Sequence, residues 1–180
     1  YQPAGLWMEM SYGNSQGKSY KQDHGESLYR RGLYTFWKRS VLFPAFAAFD
    51  APNREECTVR RPRTNTPLQA FVLLNDATFV ESARVFAERV LREGGNNFES
   101  QIGFAMEIAL ARPPSSSERS VLQSLLTDMF MHYRMKPEEA QNIIATGEWP
   151  ISKDLDPVTL AAWTSVAQAI LNLDEMQTKE

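Results

Sequence analysis

From residue 79 to residue 171 the apolar side chains recur at helical spacing, and proline or glycine pairs cut the pattern into pieces. This part of the chain is therefore expected to pack as several short helices. Phe79, Ala83, Phe86, Ala87 and Val90 share one stripe, with Glu81, Arg84 and Glu88 on the opposite side, where water is expected. Gly94 and Gly95 end that helix, as glycines past a helix end commonly do. Ile102, Ala105, Met106, Ala109 and Leu110 form the next stripe, closed by Pro113 and Pro114. Ser116 or Ser117 is placed to cap a following helix that turns Val121, Leu122, Leu125, Leu126, Met129 and Tyr133 inward. Pro137 opens a short helix with Glu138 and Glu139 near its positive end. Asp156 and Pro157 open the last one, with Leu160, Trp163, Ala167, Ile170 and Leu171 on a face.

Upstream, Thr66 as N-cap and Pro67 at the first helical position start a helix whose LQAFVLL run is apolar on most sides, which predicts a central position. Asn75 ends it and Asp76 caps the next. Tyr29, Leu33, Phe36 and Trp37 fall on one face from Glu26 onward and predict a further helix. Pro44 and Pro52 bracket an apolar piece, FPAFAAFD, too short for long regular structure. Residues 1–24 keep no period and read as an irregular arm, with Leu6, Trp7 and Met8 as an anchor on a neighbouring surface. No segment alternates as a strand would, and no repeat of domain-building length occurs. The expected fold is all-α: about six helices in an irregular bundle, with an irregular N-terminal third, in one domain over residues 1–180.

Charge and motif content narrow the function. The net charge is -3, so no general field favours nucleic acid, and no run of 18 apolar residues is present to span a bilayer. Cys57 is the single cysteine, which excludes an internal disulfide framework and a cysteine-built zinc site. The chain has no GxSxG, HExxH, P-loop or glycine-rich dinucleotide pattern, and no CxxCH to attach a c-type haem. No metal site is expected.

The chemistry-bearing segment is FDAPNREECTVRRPRTNTPLQAFVLLND, residues 49–76. Arg54, Arg60, Arg61 and Arg63 are planar forks suited to carboxylate, phosphate or sulfate. They precede a helix N-terminus that also favours an anion, and Asn65 and Thr66 add short polar groups there. The same arginines can instead pair with Asp50, Glu55, Glu56 and Asp76, as a clasp that orders an irregular segment. Both readings stay open. Further candidates are Asp23 and His24, an acid beside an imidazole, and Cys57, whose basic neighbours favour the thiolate.

The strings YQPAGLW, QDHGESLYRRGLYTFWKR, FDAPNREECTVRRPRTNTPLQAFVLLND and AAWTSVAQAILNLDEM resemble a planctomycete-type C-terminal domain of unknown function from large exported, cytochrome c-associated proteins. The resemblance implies that this chain is the C-terminal part of a larger protein, outside the cytoplasm. It implies that any haem belongs to a separate module, with no cofactor in this chain. It brings no catalytic residues. The expected role is a non-catalytic binding or scaffold module whose partner is the rest of its parent chain, a redox protein or an extracellular polymer. The alternative is a hydrolase acting on acidic or sulfated carbohydrate, the arginines binding the anion and Asp50, Asp23 or His24 supplying acid and base.

Overall fold

The computed structural model describes every residue of the chain except 12, 14–17, 19, 39–40, 54, 61 and 179–180. The chain divides into two compact units, Tyr1–Arg63 and Thr64–Glu180. The described residues are all-α, and the β bridge among them is the isolated pair Lys38–Val41. No helix among the described residues is long and apolar enough to cross a membrane.

Among its described residues unit 1 holds two short helices, α1 (Leu6–Glu9) and α2 (Pro44–Ala48), and two short 3-10 segments, Gly25–Tyr29 and Gly32–Tyr34. The helix expected from Glu26 is therefore not formed. Gly25, at φ +62°, and Gly32 lower its helix propensity, and Arg30 and Thr35 are extended. Tyr29 and Leu33 are left exposed, while Phe36 turns into an aromatic cluster. Its ring meets Trp7 edge-on at 5.0 Å and lies 5.0 Å from Tyr20. Trp7 is thus buried inside its own unit, where it anchors the start of the chain on Phe36 and Tyr20. A second cluster joins Trp37 and Phe43 edge-on to Phe46 of α2. Gly32 fits against that ring, where an added Cβ would come within 3.1 Å of Phe46 Cζ.

Unit 2 holds α3 (Pro67–Asn75), α4 (Ala77–Glu93), α5 (Phe98–Leu110), α6 (Ser116–Met135), α7 (Pro137–Ile144), α8 (Pro157–Leu171) and α9 (Asp174–Gln177). Its caps follow from short polar side chains. Thr66 and Gln69 close a capping box on α3, Asp76 accepts from Thr78 N, Asn97 from Ser100 N, and Asp156 from Thr159 N. On α6 the cap is Ser115 rather than Ser116 or Ser117, because Glu118 then stands at the third helical position and completes a second box.

The core gathers around α8, which packs on α4, α6 and α7. Leu160, Ala161, Ala162, Trp163, Thr164, Val166, Ala167 and Ile170 are all buried, so this helix is covered on nearly every side. Its alanines let the neighbouring helices approach closely, while Leu160, Val166 and Ile170 each contribute about 1.5–3 kcal/mol of burial. α8 is therefore the central helix, and the expectation that α3 would be central is overturned. α3 is short, and the one buried side chain it carries is Gln69. Leu68, Phe71 and Leu74 are 60%, 63% and 43% exposed. The expected solvent side of α4 is also corrected: Glu81, Arg84 and Glu88 are buried.

Candidate functional site

The arginine-rich stretch lies at the junction of the two units. Asp50, Arg60 and Arg63 belong to unit 1, whereas Asn65 and Thr66 belong to unit 2. Arg54 and Arg61 lie outside the described residues. Asp50 has φ +56° and sits just past α2, where Ala51 N bonds to Phe46 O at 2.9 Å and Asp50 N to Ala47 O at 3.4 Å. That is a Schellman ending, and an aspartate tolerates the left-handed position better than most residues. Arg60 and Arg63 are exposed. Asn65 donates from its amide to Asp174 at the start of α9. Asp23, His24 and Cys57 are exposed, and no group of three or more His, Cys, Asp or Glu able to hold a metal occurs among the described residues.

The N-terminus of α3 is largely satisfied from within. Pro67 has no N–H, Gln69 N donates to Thr66 Oγ1 at 3.3 Å, and Ala70 N donates to Thr66 O at 3.2 Å. Gln69 returns the bond from its side chain, accepting from Thr66 N at 2.8 Å and donating to Thr64 Oγ1 at 3.1 Å. An anion bound here would therefore rest mainly on guanidinium groups rather than on helix amides.

The polar network that sequence reasoning missed runs along α4. Arg84 is 0% exposed and donates to Glu88 Oε1 at 2.5 Å, to Trp149 O at 2.7 Å and to Pro150 O at 3.4 Å. Trp149 N donates to Glu81 Oε1 at 2.5 Å, and Ser152 Oγ donates to Glu88 Oε2. One turn further, Arg92 reaches Ser152 Oγ at 2.9 Å and Asp154 Oδ1 at 2.7 Å. Residues 81, 84, 88 and 92 step by three, four and four, so they form one face that staples the α7–α8 connection along α4. This is a clasp in the helical part of the chain, built by α4 and the α7–α8 connection. The E-x-x-R-x-x-x-E-x-x-x-R spacing was the available signal; what it lacked was any local sign of the partner.

A second node joins three elements of unit 2. Arg112, just past α5, grips Glu118 of α6 through bonds of 3.0 and 2.7 Å, and Glu175 of α9 through bonds of 2.8 and 2.7 Å. Glu118 also accepts from Ser115 N at 2.7 Å. The Arg112 guanidinium, aided by Ser115, pulls the Glu118 carboxyl down to about 2, well below its ordinary 4.5. A depressed folded-state pKa stabilises the fold above the unfolded value. That stability is lost as pH falls from about 4.5 towards 2. Urea stability measured between pH 6 and pH 2.5 should therefore fall across this window. The fall should be shallower in Glu118→Gln, which cannot gain the proton but still caps Ser115.

Among the described residues of unit 1, residues 2–8 with Lys18, Tyr20 and Gln22 line a pocket of about 450 Å³. Its two walls are tied together by Gln2: its backbone N donates to Gln22 Oε1 at 3.0 Å, its amide to Phe36 O at 3.2 Å, and its Oε1 accepts from Trp7 Nε1. Burial, and secondarily the charge of Asp23, push the Tyr20 phenol above its ordinary 10, so at neutral pH it is an uncharged donor.

Residues 3–126 match the family PSD1, described as proteins of unknown function (DUF1553). The chain belongs to this family. The PSD1 match takes in nearly all of unit 1, crosses the 63/64 boundary and stops inside α6. The helices that complete the core of unit 2, α7 and α8, lie beyond it. No curated protein matches the chain, and no solved structure does.

Proposed function

We propose that this PSD1 chain is a non-catalytic helical binding and scaffold module of an exported, cytochrome c-associated multidomain protein, with α3 as its docking element. Haem, in this reading, sits on a separate module of the same protein. The observation that carries the proposal is the inverted polarity of α3. Gln69 is buried and locked by Thr64 and Thr66, while Leu68, Phe71 and Leu74 face water over about one third of the helix circumference. An apolar helix face held rigidly outward is the form in which helices enter grooves on partner proteins. The capping box and the bond from Gln168 Nε2 to Leu74 O, at 3.1 Å, fix that face at both ends.

The test pairs a Leu68→Asp/Phe71→Asp variant with isothermal titration of the haem-bearing module of the same protein. Covering each half-exposed side chain is worth about 1 kcal/mol, so losing both should weaken docking about thirtyfold. The melting temperature of the variant should stay close to the parent's, because little burial is lost. An early-melting variant would mean the face is part of the core. No binding by the parent chain, or turnover of an acidic or sulfated carbohydrate by it, would overturn the docking or the non-catalytic half of the proposal respectively.

A further inference from the structure

We infer that the Arg63–Thr64 bond is a processing site for a serine endoprotease that cuts after basic residues, and that its hydrolysis leaves unit 2 folded. Such enzymes take their substrate as extended chain and seat a basic side chain in a specificity pocket. The described residues from 52 to 66 include no helix or strand, and those of 55–60 and 62–65 are all exposed. Thr66, just past the bond, is extended at φ -122° and ψ 153°. Arg60 and Arg63 are thus presented on irregular surface chain, where a protease can take up several residues without unwinding a helix.

Unit 2 is guarded against the same enzyme by helices and by prolines. Arg84, Arg89 and Arg92 lie within α4, and Arg119 and Arg134 within α6, so their bonds become accessible only when those helices open. Outside the helices, Arg112 stands before Pro113 and Lys136 before Pro137. Proline has no N–H, and its ring crowds the leaving side of the bond, which enzymes of this class leave uncut. Lys153 precedes Asp154, which Arg92 of α4 holds. In the junction a proline guards the Arg61–Pro62 bond, whereas Arg63 is followed by Thr64 and Arg60 by Arg61. A cut after Arg60 leaves Arg61, Pro62 and Arg63 as a short overhang that a second cut removes, so both routes end at Thr64.

The step adds water across one C–N bond, giving a carboxylate on Arg63 and an ammonium group on Thr64. The bonds that organise the start of unit 2 lie on the Thr64 side. Gln69 donates to Thr64 Oγ1, the capping box joins Thr66 and Gln69, and Asn65 bonds to Asp174. Hydrolysis breaks none of these and leaves the core around α8 untouched. The product therefore keeps α3 in place.

The full chain is digested with trypsin at a low enzyme ratio, and the fragments are followed by intact mass and N-terminal sequencing. The expected result is a fragment that begins at Thr64 and persists while the residues before it are degraded. Its circular dichroism should stay helical and its urea transition cooperative. In an Arg60→Gln/Arg63→Gln variant the intact chain should survive several-fold longer. Both side chains are exposed, so the variant's spectrum should match the parent's. A first cut elsewhere, for instance at the exposed Arg30 or Arg31, would leave the variant's lifetime unchanged and overturn the inference. So would a lasting fragment that begins at another residue, or a Thr64 fragment that loses its helices or is degraded as fast as unit 1.

Discussion

Replacing Arg84 by methionine should destabilise unit 2 by about 3–5 kcal/mol, the range found when one partner of a buried ion pair is removed. The side chain is fully buried, and the substitution would strand Glu88, itself buried, as well as the Trp149 carbonyl. Against a typical domain stability of about 5–15 kcal/mol, this is a third of the total or more. Urea unfolding followed by circular dichroism would measure it, using the later Arg84→Met/Glu88→Leu double variant as the control. An apolar pair of similar volume commonly matches a buried ion pair in stability. The double variant should therefore recover much of the loss, the remainder being the bonds from Arg84 to the Trp149 carbonyl and from Ser152 to Glu88. A single variant as stable as the parent would mean that water reaches the guanidinium site and that the clasp is not closed in solution.

Gly147→Ala should be nearly as damaging, from a change of one methyl group. Gly147 has φ +90°, and an added Cβ would stand 2.1 Å from Glu81 Oε1 and 2.3 Å from its Cδ. Backbone strain of this kind costs about 1–3 kcal/mol. Expelling the buried Glu81 carboxylate also breaks its charge-assisted bond from Trp149 N, adding about 1.5–3 kcal/mol. Gly95→Ala separates the two contributions. Gly95 has φ +88°, but its Cβ would meet Ser100 Oγ at 2.6 Å, an exposed hydroxyl that can rotate away. It carries the strain without the buried carboxylate. The two variants, compared in the same denaturation series, should thus differ by the Glu81 contribution, with Gly147→Ala the less stable. Equal losses would show that Glu81 moves aside freely.

Helix ends were legible because their causes are local. Thr66, Asp76 and Asp156 cap their helices with side chains two or three residues from the amides they satisfy, and Pro67, Pro137 and Pro157 stand where a missing N–H does no harm. The apolar stripes of α4, α5 and α8 were legible for the same reason, as was that of α6 apart from Val121, which was expected inward and is 66% exposed. Burial of the other faces was not. Glu81, Arg84 and Glu88 look like a solvated face until a segment some 65 positions away lies on them, and nothing near residue 84 announces it. α3 and α8 have similar apolar content, yet Ala161, Ala162 and Ala167 admit neighbours that Leu68 and Phe71 hold off. In unit 1 the contest went to the aromatic rings: Phe36 and Trp37 left a helical register interrupted by Gly32 to join Trp7 and Phe46. Of the candidate site residues, the cap Thr66 has a local explanation in its bond from Gln69 N, Asn65 is held by Asp174 from the far end of the chain, and Arg60 and Arg63 keep the exposed positions that their charge alone suggests.

The clasp on α4 also bears on how unit 2 opens. Its bonds to the α7–α8 connection join residues 60 to 68 positions apart, with α5, α6 and α7 between them. Helical turns form within about a microsecond, whereas contacts this distant bear the entropy of closing a long loop. The core contacts between α4 and α8 close loops at least as long, and the connection leads directly into α8. An α8 that leaves α4 therefore draws the cover off the buried charges, and opening of the core carries the loss of the clasp with it.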